Sequence, residues 1–191
     1  MLKDLLKVSR SYRSFDESVK VTHSDLLDFI DCARLAPSSI NLQMLKFRPV
    51  TEKAECDAML ANTKWAGKLK DLTLPPKGHA PTAYVVICAD TDVIETAANF
   101  QKDVGICAQT IMLAAAERGF GGCMIGSFSA EGVKKELRLP QSLVPLLVLA
   151  LGKPDETVEL TELPTNGDTS YYRENGTHFV PKRSLEDVVI K

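Results

Sequence analysis

Two arginines near the start of the chain have the type and spacing of a phosphate-binding pair. Arg10 and Arg13 lie three positions apart, in a segment that also carries several hydroxyl side chains. If this segment is helical or a tight turn, both guanidinium groups lie on one side. A planar guanidinium donates paired, charge-assisted hydrogen bonds that suit a phosphate. For this pair, and for Lys182 and Arg183 near the other end of the chain, the alternative is a solvated surface location.

A second polar cluster directly follows Pro37, where a predicted helix must end. Its hydroxyl and amide side chains belong to Ser38, Ser39, Asn41 and Gln43. Such groups both donate and accept hydrogen bonds, so they can bind a heterocycle with mixed donors and acceptors, such as the pyrimidine ring of a flavin. The alternative is ordinary turn chemistry after a helix that ends at proline.

The segment from Asp103 to Phe128 predicts the centre of the fold. Its first half is apolar almost all round and predicts a helix in the protein interior or against a partner subunit. Gly121, Gly122 and Gly126 then surround a short apolar run. Glycines beside a buried strand allow another backbone or a flat ligand to approach closely. The alternative is a core strand without a ligand.

Composition predicts one domain, residues 1–191, that does not bind nucleic acid. Hydrophobic residues make up 45% of the chain, enough for a core in a domain of this size. The net charge of −2 and a pI near 5.9 oppose nucleic-acid binding. The longest apolar runs fall short of the ~20 residues that span a bilayer. Because Lys3, Asp4 and Lys7 interrupt the first apolar residues, no signal peptide is visible and we expect a cytoplasmic protein.

The five cysteines predict buried, reduced thiols. Their number is odd and none is two residues from another, so neither a disulfide set nor a metal-ligand spacing is indicated. The three histidines lie in polar, turn-like stretches. We therefore expect neither thiol catalysis nor a metal site.

Two apolar runs, Tyr84–Ala89 and Leu146–Leu151, predict strands covered on both faces. Helices are predicted at Leu2–Lys7, after a Thr22/Asp25 capping box, and from about residue 93 into the central segment. The sequence thus predicts a three-layer α+β or α/β domain. The irregular segment Lys64–Pro81 predicts a loop or lid, and the tail after Glu159 could wrap another subunit.

Several motifs, in this order, resemble those of the FMN-dependent nitroreductase family. They are Arg10-Ser11-x-Arg13-x-Phe15, Ala36-Pro37-Ser38-Ser39-x-Asn41-x-Gln43, the stretch Gly119–Phe128, Leu151-Gly152-Lys153-Pro154, and Val180-Pro181-Lys182-Arg183-x-Leu185. The resemblance covers essentially the full chain. One departure is Met44, where many relatives carry proline followed by an aromatic residue, and this bears on substrate preference.

The resemblance implies an α+β fold, a three-layer α/β/α sandwich with a mixed, mainly antiparallel central sheet. It also implies a homodimer with exchanged C-terminal tails, and FMN in clefts at the dimer interface. The implied cofactor-binding residues are Arg10, Ser11 and Arg13; Pro37, Ser38, Ser39, Asn41 and Gln43; the backbone at Ile125, Gly126 and Ser127; and Lys182 and Arg183. The match of Asn62 to the pyrimidine edge is weaker. Because the cofactor carries the reaction, no catalytic side chain is implied.

The implied activity is oxidoreduction in which NADH or NADPH reduces FMN, and FMN then reduces a nitroaromatic, quinone or similar acceptor at the same site. Reductive dehalogenation, flavin fragmentation and ring dehydrogenation are alternatives on the same fold. The segment Lys64–Pro81, with Trp65 as one wall of the acceptor pocket, would be where these reactions differ. Two other classes remain open: a flavin-binding or redox-sensing module without turnover, and an interaction protein built on the basic residues.

Overall fold

The computed structural model describes residues 1–69, 71–93 and 100–190. Lys70, in the predicted loop, and residues 94–99, part of a predicted helix, lie outside the described residues. The chain divides into two compact units, Met1–Pro154 and Asp155–Lys191. One domain over residues 1–191 stays a prediction.

The first unit contains five helices and five strands among its described residues. The helices are α1 (Leu2–Val8), α2 (His23–Arg34), α3 (Lys53–Ala61), α4 (Gln101–Glu117) and α5 (Ala130–Glu136). The strands are β1 (Phe15–Asp16), β2 (Leu45–Val50), β3 (Ala83–Asp90), β4 (Gly121–Ile125) and β5 (Leu143–Pro154). A single 3₁₀ turn covers Ser39–Asn41. Both strands predicted from apolar runs are therefore present, and so are the predicted helices that lie within the described residues.

Strand β5 is the centre of the sheet. It pairs with β3 from Leu143 to Leu151, with β4 from Val148 to Gly152, and with β1 at Lys153 and Pro154. Strand β2 lies on the far side of β3. All of these pairings are antiparallel, so the predicted, mainly antiparallel sheet is confirmed.

Helices cover both faces of this sheet. Alternate residues of β3 point to opposite faces, so Val85 and Ile87 join one apolar cluster while Tyr84 and Val86 join another. The first cluster includes buried residues of α2 and α4, and the second those of α3 and α5. The predicted three-layer sandwich is therefore confirmed.

Local signals set the helix ends as the sequence predicts. The Thr22 hydroxyl accepts from the amide of Asp25 at 3.1 Å, and the Asp25 carboxylate accepts from the amide of Thr22 at 2.9 Å, which completes a capping box. Helix α4 ends at Glu117, and Gly119 follows with φ +73°. Glycine adopts this left-handed backbone conformation after a helix at the lowest energetic cost, because it has no Cβ atom. These signals fix where α2 begins and where the chain leaves α4 for β4.

The second unit is a small sheet that sequence periodicity did not reveal. Its strands are β6 (Thr157–Glu162), β7 (Tyr172–Glu174) and β8 (Thr177–Lys182), followed by α6 (Leu185–Val188). Strand β8 pairs in parallel with β6 and antiparallel with β7. Most side chains of β6 and β7 are exposed or half-buried, so the apolar alternation typical of a strand is weak.

Within the described ranges, no helix has both the length and the apolar character needed to cross a membrane.

Candidate functional site

The segment that carries the two arginines lies along the start of β4. Ser11 forms a parallel bridge with Gly122, and the amide of Tyr12 donates to the carbonyl of Gly122 at 2.9 Å. The same amide also donates to the carbonyl of Arg10 at 3.1 Å, which closes a tight turn. Helix α1 has already ended at Val8, so the turn, not a helix, sets the directions of Arg10 and Arg13.

The two arginines have different surroundings. Arg10 is half-buried and donates from Nε to the carbonyl of Ser9 at 2.7 Å and from Nη2 to that of Leu6 at 2.8 Å. It thereby caps the C-terminal end of α1, and three of its five N–H donors remain for other partners. Arg13 is only 8% exposed and donates from Nη1 to the carbonyl of Ser11 at 3.1 Å. A permanent positive charge is therefore held below the surface beside β4.

The polar cluster after Pro37 forms a strained turn. Ile40, Asn41 and Gln43 have φ values of 48°, 55° and 52°. Left-handed backbone is unfavourable for residues other than glycine, most of all for a β-branched residue such as Ile40. The Ser38 hydroxyl accepts from the amide of Gln43 at 3.4 Å and joins the two ends of the turn.

Asp103 holds this turn from the first turn of α4. The Ser39 amide donates to Oδ1 at 3.2 Å and to Oδ2 at 3.0 Å, and the Ser39 hydroxyl donates to Oδ1 at 2.8 Å. Asp103 is only 2% exposed. Sequence reasoning did not single out Asp103, although an acidic residue in the first turn of an otherwise apolar helix was a signal for it. Its partner lies 64 positions away, and no local pattern indicates such a pair.

A cavity of about 130 Å³ lies beside the turn. Its lining includes Ser38, Gln43 and Asp103 together with the apolar side chains of Phe47 and Cys107. Polar groups on one side and apolar surface on the other are typical of small-molecule sites.

The end of β4 exposes backbone. The Ile125 side chain is 4% exposed and packs in the core, whereas Gly126 and Ser127 are exposed. A methyl group added to Gly126 would meet nothing within 4 Å, but one added to Gly122 would lie 2.0 Å from the carbonyl oxygen of Ala150. Gly122 is therefore required by packing within the sheet, whereas the backbone of Gly126 borders open space.

The backbone after α3 is joined to the same strand end. The Lys64 amide donates to the carbonyl of Ser127 at 2.8 Å, and the Ser129 amide donates to the carbonyl of Asn62 at 2.9 Å. The Asn62 side chain donates to the carbonyl of Ala58 at 2.9 Å. The structure thus places Asn62 next to the end of β4, while its contact with a pyrimidine edge stays a prediction.

Lys182 is the last residue of β8, and Arg183 follows it. Both side chains are exposed and belong to the second unit. Their part in a phosphate site stays a prediction.

The cysteines are free thiols, and four of them are buried as predicted. The prediction is wrong for Cys32, which is exposed on α2. Burial raises the pKa of Cys56 to about 11 and that of Cys88 to about 12, and it also raises the pKa of Cys107. Since the thiolate is the nucleophile, these three groups are unreactive at neutral pH.

The fold is shared with solved structures of one family. Over 100% of both chains, it matches a nitroreductase family protein from Streptococcus pneumoniae TIGR4, with a TM-score of 0.69 and 20% identity. It also matches an FMN-dependent nitroreductase from Clostridium difficile R20291 over 80% of this chain and 87% of the other, with a TM-score of 0.63 and 26% identity.

Sequence comparison identifies the family. The model of the Nitroreductase family matches residues 6–153, and the chain belongs to that family. A relative, the NADPH-flavin oxidoreductase of Vibrio harveyi, is 28% identical over 79% of this chain and 65% of its own length. The resemblance seen in the sequence motifs is therefore confirmed. So is the predicted class, an NAD(P)H-dependent oxidoreductase that uses FMN.

Proposed function

We propose that this chain binds FMN along β4 and passes electrons from NADH or NADPH to a nitroaromatic, quinone or similar small acceptor. The observation that carries the proposal is the arrangement along one strand. Buried Arg13 donates to the carbonyl of Ser11, which bridges Gly122 near the start of the strand, and the open backbone of Gly126 follows the end of the strand. The four residue-to-residue steps from Gly122 to Gly126 span about 13 Å in extended backbone. That spacing suits a ligand with an anionic group at one end and a flat ring at the other.

The residues present fit FMN by charge and shape. The free donors of Arg10, the buried charge of Arg13 and the exposed hydroxyl of Ser11 suit the phosphate and the ribityl chain. At Gly126 no side chain separates the backbone from a ring stacked nearby. Lys182 and Arg183 add positive charge to the phosphate end in this proposal.

Bound FMN supplies the hydride and electron transfer. The chain's own groups would bind and orient it: the charges of Arg10 and Arg13 would hold its anionic end, and the amides after Ile125 would donate to ring atoms. No side chain is required as an acid or base, so we propose no catalytic residue.

A pocket for the nicotinamide and the acceptor is proposed beside Trp65. The indole Nε1 donates to the Thr63 hydroxyl at 3.0 Å, and that hydroxyl donates to the carbonyl of Leu60 at 3.0 Å. These bonds hold an aromatic ring one residue from Lys64, whose amide is bound to Ser127. The two substrates would use this pocket in turn. The names of the relatives from C. difficile and V. harveyi support the reaction class.

We further propose a homodimer in which the second copy completes the site. The exposed side of α4 carries Gly105 and Ile106, the latter 39% exposed, and the 38–43 turn presents exposed polar groups. In the second unit, Leu185 and Val188 are 77% and 60% exposed, which suits an exchanged C-terminal tail. In this arrangement Pro37, Ser38, Asn41 and Gln43 reach the FMN of the partner copy. Light scattering of the FMN-loaded protein tests this, and a monodisperse monomer that retains FMN would refute it.

Anaerobic titration tests the activity. The purified protein is loaded with FMN, freed of excess cofactor, and mixed separately with NADH and with NADPH. Loss of the flavin absorbance band within seconds, and its recovery on addition of a nitroaromatic or quinone, are the expected results. Absence of flavin absorbance after FMN addition would refute the proposal. A flavin band that persists with both nicotinamides would instead indicate a binding or sensing module.

Other reactions on the same fold are tested by the acceptor panel. Halogenated aromatics and oxidisable ring substrates are offered to the reduced and the oxidised protein, and turnover of these in place of nitroaromatics would reassign the reaction. The cytoplasmic location stays a prediction that cell fractionation can test.

A further inference from the structure

We propose that Asp103 is a positioning residue for the cofactor-binding turn at residues 38–43, and that it makes the Ser39 hydroxyl a hydrogen-bond acceptor toward the ligand. This inference rests on the proposed function, because the turn matters for activity only if it contacts FMN.

Asp103 accepts hydrogen bonds from both the backbone amide and the side-chain hydroxyl of Ser39. Both carboxylate oxygens accept from the Ser39 amide, at 3.2 and 3.0 Å, and Oδ1 also accepts from the hydroxyl at 2.8 Å. At 2% exposure, little of Asp103 is left for water. Hydrogen bonds to a charged acceptor are stronger than neutral ones, and more so away from solvent. A single buried side chain therefore fixes both the backbone and the side chain of Ser39.

The turn needs an external anchor because its own conformation is unfavourable. Ile40, Asn41 and Gln43 all have positive φ, a left-handed backbone conformation that is unfavourable for residues other than glycine. Burial does not compensate for this, since Ile40 is 89% exposed and the other two are also exposed. Without Asp103, the chain is free to relax toward ordinary backbone angles, which would redirect the amide and hydroxyl groups of the turn.

The anchor itself is rigid. Asp103 lies in the first turn of α4, where the helix dipole favours a carboxylate. The next turns of α4 bury Val104, Cys107 and Ala108 in the core cluster shared with α2 and the sheet. The turn is thereby tied to the interior of the first unit.

The same contact sets the direction of hydrogen bonding at Ser39. A serine hydroxyl has one proton and two lone pairs, and here the proton is donated to Asp103. The oxygen can therefore only accept from a ligand. FMN offers donors at the N3–H of its ring and at its ribityl hydroxyls, whereas its phosphate and carbonyl oxygens are acceptors. Ser39 is accordingly assigned to one of those donors and not to the phosphate.

The test uses full-length protein with FMN as the probe. D103N keeps the size of the side chain but places an N–H₂ group opposite the Ser39 amide or hydroxyl. S39A removes only the hydroxyl and leaves the amide bonds to Asp103 in place. D25N is the matched control, because Asp25 is a carboxylate in a hydrogen-bonded network at the start of α2, outside the proposed site. For each variant, the FMN Kd is measured by fluorescence titration and the Tm of the apoprotein by circular dichroism.

We expect D103N to raise the FMN Kd by about 10- to 100-fold, as the loss of charge-assisted hydrogen bonds implies. S39A should raise it by about threefold to tenfold and lower the Tm less than D103N does, and S39A should have a smaller effect in the D103N background. D25N should lower the Tm and leave the Kd unchanged. An FMN Kd in D103N equal to that of wild type, with or without a lower Tm, would overturn the proposal.

Two further outcomes are also decisive. If D103N does not fold, S39A decides alone, and an unchanged Kd in S39A overturns the assignment of the hydroxyl as an acceptor for FMN. If wild-type protein does not bind FMN, the proposed function fails. Hydrogen exchange at the Ser39 and Leu42 amides would then still show whether Asp103 holds the turn, since D103N should accelerate both.

Discussion

The amide of Lys64 donates to the carbonyl of Ser127 at 2.8 Å, and this bond joins the start of an irregular segment to the end of β4. Thr63 and Phe128 form an antiparallel bridge beside it. Two strand-like contacts therefore fix where residues 64–69 begin relative to the open backbone of Gly126. The first residues of this segment are therefore bonded to the strand end that carries the proposed cofactor site.

Trp65 is the only tryptophan of the chain, so its fluorescence reports on this attachment. Because its indole is held by Thr63, we expect addition of FMN to quench most of its emission. W65A should raise KM for a nitroaromatic acceptor about fivefold to tenfold, through lost stacking, and change the FMN Kd by less than about twofold. For W65F, the KM for the acceptor should lie between the values of wild type and W65A. Stopped-flow reduction and a binding titration measure these quantities, and acceptor kinetics unchanged in W65A would exclude Trp65 from the pocket.

Alanine substitutions at Gly122, within β4, and at Gly126, directly after it, should have opposite effects on stability. A methyl group at Gly122 would overlap the carbonyl of Ala150, so G122A should lower the free energy of unfolding by about 3 kcal/mol or more. At Gly126 there is open space, and its φ is not in the left-handed region. G126A should therefore be neutral or stabilise the apoprotein by up to ~1 kcal/mol.

FMN binding should nevertheless be weaker in G126A than in wild type, because the added methyl group would occupy the space of the ring. We expect the FMN Kd of G126A to rise about tenfold although the Tm of its apoprotein is not lowered. Urea unfolding of the apoprotein and an FMN titration measure the two effects separately. Unaltered FMN binding in G126A would remove the end of β4 from the proposed site.

Features that depend on neighbouring residues could be read from the sequence. The run Tyr84–Ala89 is apolar on both sides because helices cover both faces of β3, and that is how it was interpreted. The Thr22 and Asp25 capping box needs only four positions to be recognised. Strand existence and helix ends were therefore predictable, and the sheet type came from the family resemblance.

Features that depend on distant residues could not be read in this way. The positive φ of Ile40 is typical of glycine or asparagine, so no propensity predicts it. It is compatible with the fold because Asp103, far away in sequence, holds Ser39. The sheet of the second unit was missed for a different reason: β6 is short and largely exposed, and its register comes from β8.

Asp25 gives a pH-dependent prediction. Hydrogen bonds from Thr22, and then the Arg118 guanidinium, hold the pKa of Asp25 below its usual value. The ionised form is thus favoured in the folded state, so this stabilisation is present above pH ~4 and is lost as the pH falls through the folded-state pKa. At pH 7, D25N should lower the free energy of unfolding by about 1 kcal/mol, a decrease in Tm of roughly 2–4 °C. The difference from wild type should disappear near pH 2.

The control for this prediction lies on the same helix. Asp31 pairs with Arg34 at 2.7 Å, but both side chains are more than half exposed. Solvent screens such a pair, so D31N should change the free energy of unfolding by less than about 0.5 kcal/mol at any pH. Thermal unfolding of the three proteins between pH 2 and 7 tests both statements. A D25N deficit that persists undiminished at the lowest pH would contradict the assigned electrostatic origin.

The thiols give a chemical test of the core. Cys32 is exposed, whereas Cys56, Cys88, Cys107 and Cys123 are buried. With a pKa of about 11, only about one Cys56 thiol in a thousand is ionised at pH 8, and its burial also excludes reagent. We expect a disulfide reagent such as DTNB to label one thiol quickly in the native protein and all five after denaturation. C32S should remove the fast phase and leave the Tm unchanged. Any fast-reacting thiol in native C32S would show that one of the buried cysteines is accessible, contrary to the packing of the helices against the sheet.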